Sequence, residues 1–325
     1  MAHILGFGGY VPSRVVTNDD WARMVDTTDE WITQRTGIKE RRFVADDEST
    51  LTLAAEAAMS ALKDADMTPD DIDEIVVATD TPEMMTPDTA ALVQANLGCR
   101  QVPTYDLGGS GCAGFVQALD VAKSRIAVQP KVMLVIGVEV ISRMISWKDR
   151  ATAVLFGDAA GAVLLGPEPA RAEVLEVVSG TDGSAAEILT LAAGGTRNPF
   201  NEKSLESGDY NRLVMDGKRV FVEAVKRMSE AASDVLAKIG RSINDVNLVI
   251  PHQANKRIID AVRHRLGVDE SRVYVNVDRY GNTGSATVPF AMWEAVNNGR
   301  IHEGDLVVLT AFGAGFHWAA AAVQF

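Results

Sequence analysis

Only two cysteines, Cys99 and Cys112, occur in the 325 residues. That is too few for a disulfide framework. The pair flanks one short strand-like run, so both are expected to stay reduced, as in cytoplasm. Long apolar runs are missing as well. Val132 to Val138 falls far short of the roughly 18 residues of a membrane span, so no membrane insertion is expected. The start, Met1-Ala2-His3-Ile4-Leu5-Gly6, has no charged lead and no long apolar stretch, so no secretory signal is expected. Positive charge is in deficit. A net charge of −13 argues against general nucleic-acid binding and obliges any anionic partner to meet a local basic patch. Histidine is scarce enough to weigh one by one: His3, His252, His264, His302 and His317.

What is present reads as a globular α/β enzyme long enough for two domain-sized units. The sequence turns on Tyr105-Asp106-Leu107-Gly108-Gly109-Ser110-Gly111-Cys112-Ala113-Gly114-Phe115. Val102 to Leu107 reads as a strand, and Phe115, Ala118, Leu119, Ala122 and Ile126 fall at helical spacing. Small residues between the two allow a sharp turn that delivers Cys112 to a helix start. Unpaired N–H groups there are expected to favour a thiolate, making Cys112 a candidate nucleophile. The plainer alternative is a small buried hydrophobe. Cys99, at a helix end, reads as structural.

The second half repeats the first. Ser242 to Val246 echoes Thr68 to Ile72, and Leu248 to Ile250 echoes Ile75 to Val77. Val273 to Val277 echoes the strand before Cys112, and Gly281-Asn282-Thr283-Gly284-Ser285 echoes its glycine turn. Leu306 to Leu309 echoes Val132 to Val135, and Phe312-Gly313-Ala314-Gly315 echoes Phe156-Gly157-Asp158. Gly166-Pro167-Glu168-Pro169 is the clearest boundary, giving units 1–168 and 169–325. A duplicated α/β unit implies a pseudo-twofold fold that brings equivalent strand ends together. Cys112, His252 and Asn282 are therefore expected to converge. Gly180 to Gly217 has no counterpart and reads as loops over the site. Ala153 to Leu165 reads as strand, turn and strand. Asn18 or Asp19 reads as the cap of a helix carrying Trp21.

His252 alone among the histidines ends a buried strand, in Pro251-His252-Gln253-Ala254-Asn255. Cysteine with histidine suits acyl transfer through a thioester, with backbone N–H groups at Cys112 and in the Gly313-Ala314-Gly315 loop as oxyanion donors. A Cys-His-Asn set also fits a peptidase or thioesterase. Asparagine and histidine both donating to one oxygen instead suit a thioester enolate, the species left when a malonyl group decarboxylates. Trp31 and Arg35, at i and i+4, read from spacing alone as one face of a solvated amphipathic helix.

Taken together, these motifs resemble the β-ketoacyl-[acyl-carrier-protein] synthase III family of the thiolase superfamily. The resemblance runs from Ile4 to Phe325. It rests on Asp29-Glu30-Trp31-Ile32 with Arg35-Thr36-Gly37-Ile38, on Gly111 to Phe115, and on Asp149-Arg150 with Phe156-Gly157-Asp158. It rests equally on Pro251 to Asn255, on Gly281-Asn282-Thr283, and on Phe312 to Phe316 with Trp318. It implies a thiolase-like duplicated fold, two α/β halves stacked as a five-layer α-β-α-β-α sandwich. It implies a homodimer that condenses an acyl-CoA with malonyl-[acyl-carrier protein], with no metal or prosthetic group. Catalysis would rest on Cys112, His252 and Asn282, with the backbone of Cys112 and Ala314 as oxyanion donors. Trp31, Arg35, Arg150, Gly217, Phe221 and Asn255 would meet CoA, which reverses the solvated reading of the Trp31 helix. Arg257, with Lys256, would dock the acidic carrier.

Three departures from the family pattern stand out, one of them a glycine-to-alanine change at Ala314, which still offers an N–H. Thr86 replaces the bulky aromatic that short-chain members place in the partner subunit's acyl pocket, which implies medium or long starters. His317 stands where a small polar residue is usual, with structural the safer assignment. Alternatives of the same fold are a condensing or acyl-transfer enzyme of a specialised pathway. A non-catalytic partner subunit would lack the nucleophile that is present here.

Overall fold

The computed structural model describes all 325 residues. Its first half contributes β1 (His3–Tyr10), β2 (Glu74–Ala78), β3 (Thr104–Leu107), β4 (Met133–Val140) and β5 (Asp158–Gly166). The second contributes β6 (Ala172–Thr181), β7 (Leu248–Pro251), β8 (Leu306–Gly313) and β9 (His317–Gln324). Their order is β7-β8-β9-β6-β1-β5-β4-β2-β3. The seam between halves is thin: β1 meets β6 only at His3–Glu173 and Ile4–Ala172. On either side the pattern repeats. β2 runs parallel to β4, and β5 antiparallel to β4 and β1. Likewise β7 runs parallel to β8, and β9 antiparallel to β8 and β6.

Six helices fill the layers: α1 (Asp29–Thr36), α2 (Thr50–Asp64), α3 (Gly114–Val128), α4 (Gly217–Lys238), α5 (Lys256–Leu266) and α6 (Thr287–Asn297). Helix α2 covers the outer face of the first sheet; α4 packs on the second sheet and on α5. Between the sheets lie α3 and α6, each touching strands of both halves. The result is the five-layer sandwich. Strand alternation explains why both sheets are apolar on both faces. Ile75 and Val77 join the outer cluster with Leu53 and Ala58, whereas Val76 and Ala78 join the central cluster with Phe115 and Val288. Helix α2 lies close on β1 because it offers alanines there. A Cβ at Gly8 would stand 2.0 Å from the Ala57 carbonyl oxygen.

Four local expectations are corrected. The helix carrying Trp21, Asn18–Ala22, is capped by Thr17, which exchanges hydrogen bonds with Asp20 in a capping box. Of the two strands expected in Ala153 to Leu165 only the second forms, as Asp158–Gly166; Ala153 instead ends a short helix, Arg150–Ala153, and Phe156 makes a single bridge to Asn282. The expected strand 273–277 is reduced to a single bridge, Val249–Val273. There the Gln253 side-chain amide takes over the ladder, accepting from Asn276 N–H and donating to the Tyr274 carbonyl. Finally, 183–215 is not plain loop. It holds a 3-10 turn, the antiparallel pair Leu189–Leu191 and Leu213–Met215, and the helix Glu202–Ser207. No helix is long and apolar enough to cross a membrane.

Candidate active site

The turn after β3 is built by Gly109 at φ 76° and Gly111 at φ 53°, left-handed values that favour glycine. Cys112 sits in a single 3-10 turn, Gly111–Ala113, that runs on into α3. The elbow packs backbone to backbone on the loop after β8. A Cβ on Gly111 would lie 2.5 Å from the Ala314 nitrogen, and one on Gly313 would lie 2.4 Å from the Cys112 nitrogen. Two glycines thus let the peptides of Cys112 and Ala314 share one patch of cavity wall. Asp80, just past β2, steadies the elbow by accepting the Gly109 N–H at 2.8 Å.

The second half delivers the other two side chains. His252 follows β7, its N–H donating to the Thr310 carbonyl at 2.7 Å. Its Nδ1 lies 2.6 Å from Thr287 Oγ1, and Nε2 has no partner within the protein. Asn282 is stapled to the first half. Its N–H donates to the Leu155 carbonyl at 2.8 Å, and its carbonyl accepts from Gly157 at 3.0 Å. The Asn282 Oδ1 accepts the Gly284 N–H at 2.9 Å and faces the Cys112 thiol at 3.9 Å. That leaves Nδ2 as a donor without a protein partner.

Cys112, His252 and Asn282 line one cavity of about 1190 Å³. Ala314 lines it too. Trp31, Arg35, Arg150 and Arg257 line it as well, as do Gly217, Phe221 and Asn255. Trp31 lies between two guanidinium groups, each carbon 4.8 Å from the ring centroid. Arg150 also donates to the Asp26 carbonyl at 2.6 Å. Asn255 caps α5 by accepting from Arg257 N–H, and it donates to the Arg35 carbonyl, tying α1 to α5.

Two predicted residues lie off the cavity. Lys256 is held by Asp260 and Glu270, which leaves Arg257 as the cation of that turn without a carboxylate partner. Thr86 is exposed on the loop after β2, while its neighbour Met85 lines the cavity. Three residues escaped the sequence reading. Asp80 and Glu139 line the cavity beside Cys112, and Thr287 stands behind His252. Glu139 had a signal, a lone acid at the end of an apolar strand. Its carboxylate accepts from Thr81 Oγ1 at 2.6 Å and Ser285 Oγ at 2.9 Å, clamping the Asn282 turn to the loop after β2.

Electrostatics correct one expectation. Burial, with Glu139 and Asp80 close by, pushes the Cys112 thiol up, so the helix start does not leave a resting thiolate. Burial also raises the Glu139 carboxyl, reinforced by Asp80. The same burial lowers His252 to about 3, so its imidazole is neutral at physiological pH. A raised thiol is protonated until the pH climbs past its pKa. Alkylation of Cys112 by iodoacetamide is therefore expected to be slow at pH 7 and to keep rising above pH 9; a rate that plateaus below pH 8 contradicts this.

A duplicated five-layer sandwich that gathers a cysteine, a histidine and an asparagine around one large cavity, with Arg35, Arg150 and Arg257 in its lining, is the arrangement of a thiolase-type condensing acyltransferase. The comparisons narrow this. The family model for 3-oxoacyl-[acyl-carrier-protein (ACP)] synthase III matches residues 105–183, and that for its C-terminal part matches 236–325. The β-ketoacyl-[acyl-carrier-protein] synthase III of Symbiobacterium thermophilum is 46% identical over 322 residues, covering 99% of this chain and 97% of that one. That of Caldanaerobacter subterraneus subsp. tengcongensis is 44% identical over 324 residues, again covering 99% and 97%. The crystal structure of 3-oxoacyl-[acyl-carrier-protein] synthase III from Aquifex aeolicus VF5 matches with a TM-score of 0.91 at 40% identity, covering 100% of both chains. The chain belongs to the β-ketoacyl-[acyl-carrier-protein] synthase III family. It is a condensing acyltransferase that initiates fatty acid synthesis by joining an acyl-CoA to malonyl-[acyl-carrier protein].

Proposed function

We propose that Cys112 carries the starter acyl group while His252 and Asn282 stabilise the enolate of the malonyl thioester. The Sγ attacks the acyl-CoA carbonyl, and the backbone N–H groups of Cys112 and Ala314 hold the oxyanion. CoA leaves and the malonyl-carrier thioester enters. Loss of CO2 places negative charge on the thioester oxygen, where the two C-terminal side chains donate. The carbanion attacks the acyl-enzyme and frees the 3-oxoacyl-carrier. Residues 1–168 supply the nucleophile and 169–325 supply the donors. The steps as written call on no metal or prosthetic group.

One observation carries this reading over hydrolysis: the direction of the Asn282 amide. With Oδ1 committed to Gly284 N–H, Nδ2 is the free side and can only donate. A Cys-His-Asn hydrolase needs its asparagine on the histidine to orient it. Here Thr287, not Asn282, occupies Nδ1.

Trp31, Arg35 and Arg150 take the nucleotide of CoA, and Gly217, Phe221 and Asn255 line the path of its pantetheine arm. Arg257 docks the acidic carrier, with Lys256 a weaker contributor because of its two carboxylate partners. The enzyme acts as a cytoplasmic homodimer; its two cysteines are unpaired. In that dimer Thr86 reaches the partner's acyl pocket and leaves room for medium or long starters. Turnover of acetyl-CoA against dodecanoyl-CoA tests this. The wild type is expected to favour dodecanoyl-CoA. Thr86→Phe is expected to lower kcat/KM for the long starter by about 10-fold or more while changing acetyl-CoA by less than about threefold. A strong acetyl preference in the wild type counts against it.

A further inference from the structure

The hydroxyl of Thr287, which no step above uses, makes two contacts at once. It lies 3.0 Å from the Gly284 carbonyl oxygen and 2.6 Å from His252 Nδ1. Thr287 is 2% exposed and His252 is 3% exposed, so water does not substitute for either contact. A hydroxyl has one proton. The Gly284 carbonyl, which also accepts the Thr287 N–H, can only accept, so the hydroxyl can bond to it only as the donor. Both contacts are then hydrogen bonds only if Nδ1 carries the imidazole hydrogen and donates to Oγ1.

We propose that Thr287 is a positioning residue: its hydroxyl holds His252 as the Nδ1–H tautomer, so that Nε2 meets the cavity it shares with Cys112 as a lone pair and serves first as the base for the thiol, which at rest faces Asn282 Oδ1. The inference rests on the roles proposed above for Cys112 and His252. Asn282 needs no such device, because its free amide is a donor already.

The proton balance follows. In acylation the thiol proton passes to Nε2, the Sγ–carbonyl bond forms, and the carbonyl–sulfur bond to CoA breaks. CoA leaves as thiolate and is protonated by solvent. Nε2–H then donates to the malonyl thioester oxygen while CO2 departs. Burial disfavours the imidazolium in the empty cavity, and the malonyl carboxylate is the anion that faces it at this stage. As the carbon–carbon bond forms and the Sγ–acyl bond breaks, the proton returns to Sγ. One solvent proton is consumed per turnover, as the overall reaction requires.

Thr287→Val and Thr287→Ser separate hydroxyl from shape. Acylation of Cys112 and CO2 release from malonyl-carrier protein are measured separately, together with the imidazole ¹⁵N shifts of His252. Thr287→Val is expected to lower kcat of both half-reactions roughly 10- to 100-fold, with KM for acyl-CoA within about twofold. Thr287→Ser is expected to restore both rates to within about threefold of wild type. In the resting wild type Nδ1 should carry the proton and Nε2 should not. A resting Nε2–H tautomer, a Thr287→Val enzyme as fast as wild type, or a serine variant as slow as the valine variant each overturns the proposal. If His252→Ala retains full condensation, the underlying reading fails instead.

Discussion

Cys112→Ala is expected to form no acyl adduct with any CoA thioester and to lower condensation by about 10⁴-fold or more, while still releasing CO2 from malonyl-carrier protein. The two effects part because the two half-reactions draw on different atoms. Acyl transfer needs Sγ, and nothing nearby replaces it, since Cys99 is a buried residue of the outer cluster. Decarboxylation needs donors at the thioester oxygen. Asn282 Nδ2 supplies one without the sulfur, whereas His252 Nε2 loses the proton it would take from Sγ, so CO2 release is expected to be reduced but not abolished. The Asn282 turn does not hang from Cys112. Its backbone is tied to Leu155 and Gly157, and its side-chain oxygen to Gly284. Removing the sulfur leaves that frame standing. An alanine variant that still condenses would place the nucleophile elsewhere.

Asn282→Ala is expected to show the reverse. Losing one preorganised donor to a developing oxyanion costs about 10²–10³ in rate, or about 2.7–4 kcal/mol. CO2 release from malonyl-carrier protein should fall by that factor. Acylation of Cys112 should persist, because its oxyanion donors are backbone N–H groups of Cys112 and Ala314. His252→Ala removes the second donor to the same oxygen. Adding it to Asn282→Ala is therefore expected to cost less than the product of the single losses, since residues acting as a unit are not additive. Wild-type CO2 release from Asn282→Ala would remove the enolate role.

Where the sequence was legible, chemistry was written locally. The elbow could be read because glycine at 109 and 111 has one clear use beside a nucleophile: left-handed backbone pressed against a neighbouring peptide. The duplicated sandwich could be read because β2 and β7 follow the same turn motif, and each run is apolar on both faces. Contacts with no local signature were not legible. The strand expected at 273–277 was lost to the side-chain amide of Gln253, a competition that periodicity does not register. The cap over 183–215 folds as a small paired unit because leucines from distant segments meet. The thiolate expectation failed for a related reason. A helix start stabilises negative charge by a modest local term, whereas burial beside Glu139 and Asp80 is a property of the whole fold and outweighs it. Thr287 was invisible until His252 was seen to lean on it.

The most direct test of the central claim is a mass-spectrometric chase. The enzyme is incubated with an acyl-CoA, the adduct is mapped, and malonyl-carrier protein is added. The account predicts one acyl group on Cys112, which then leaves as a 3-oxoacyl-carrier together with one CO2. Release of the acyl group as free acid, or an adduct on any residue other than Cys112, contradicts it.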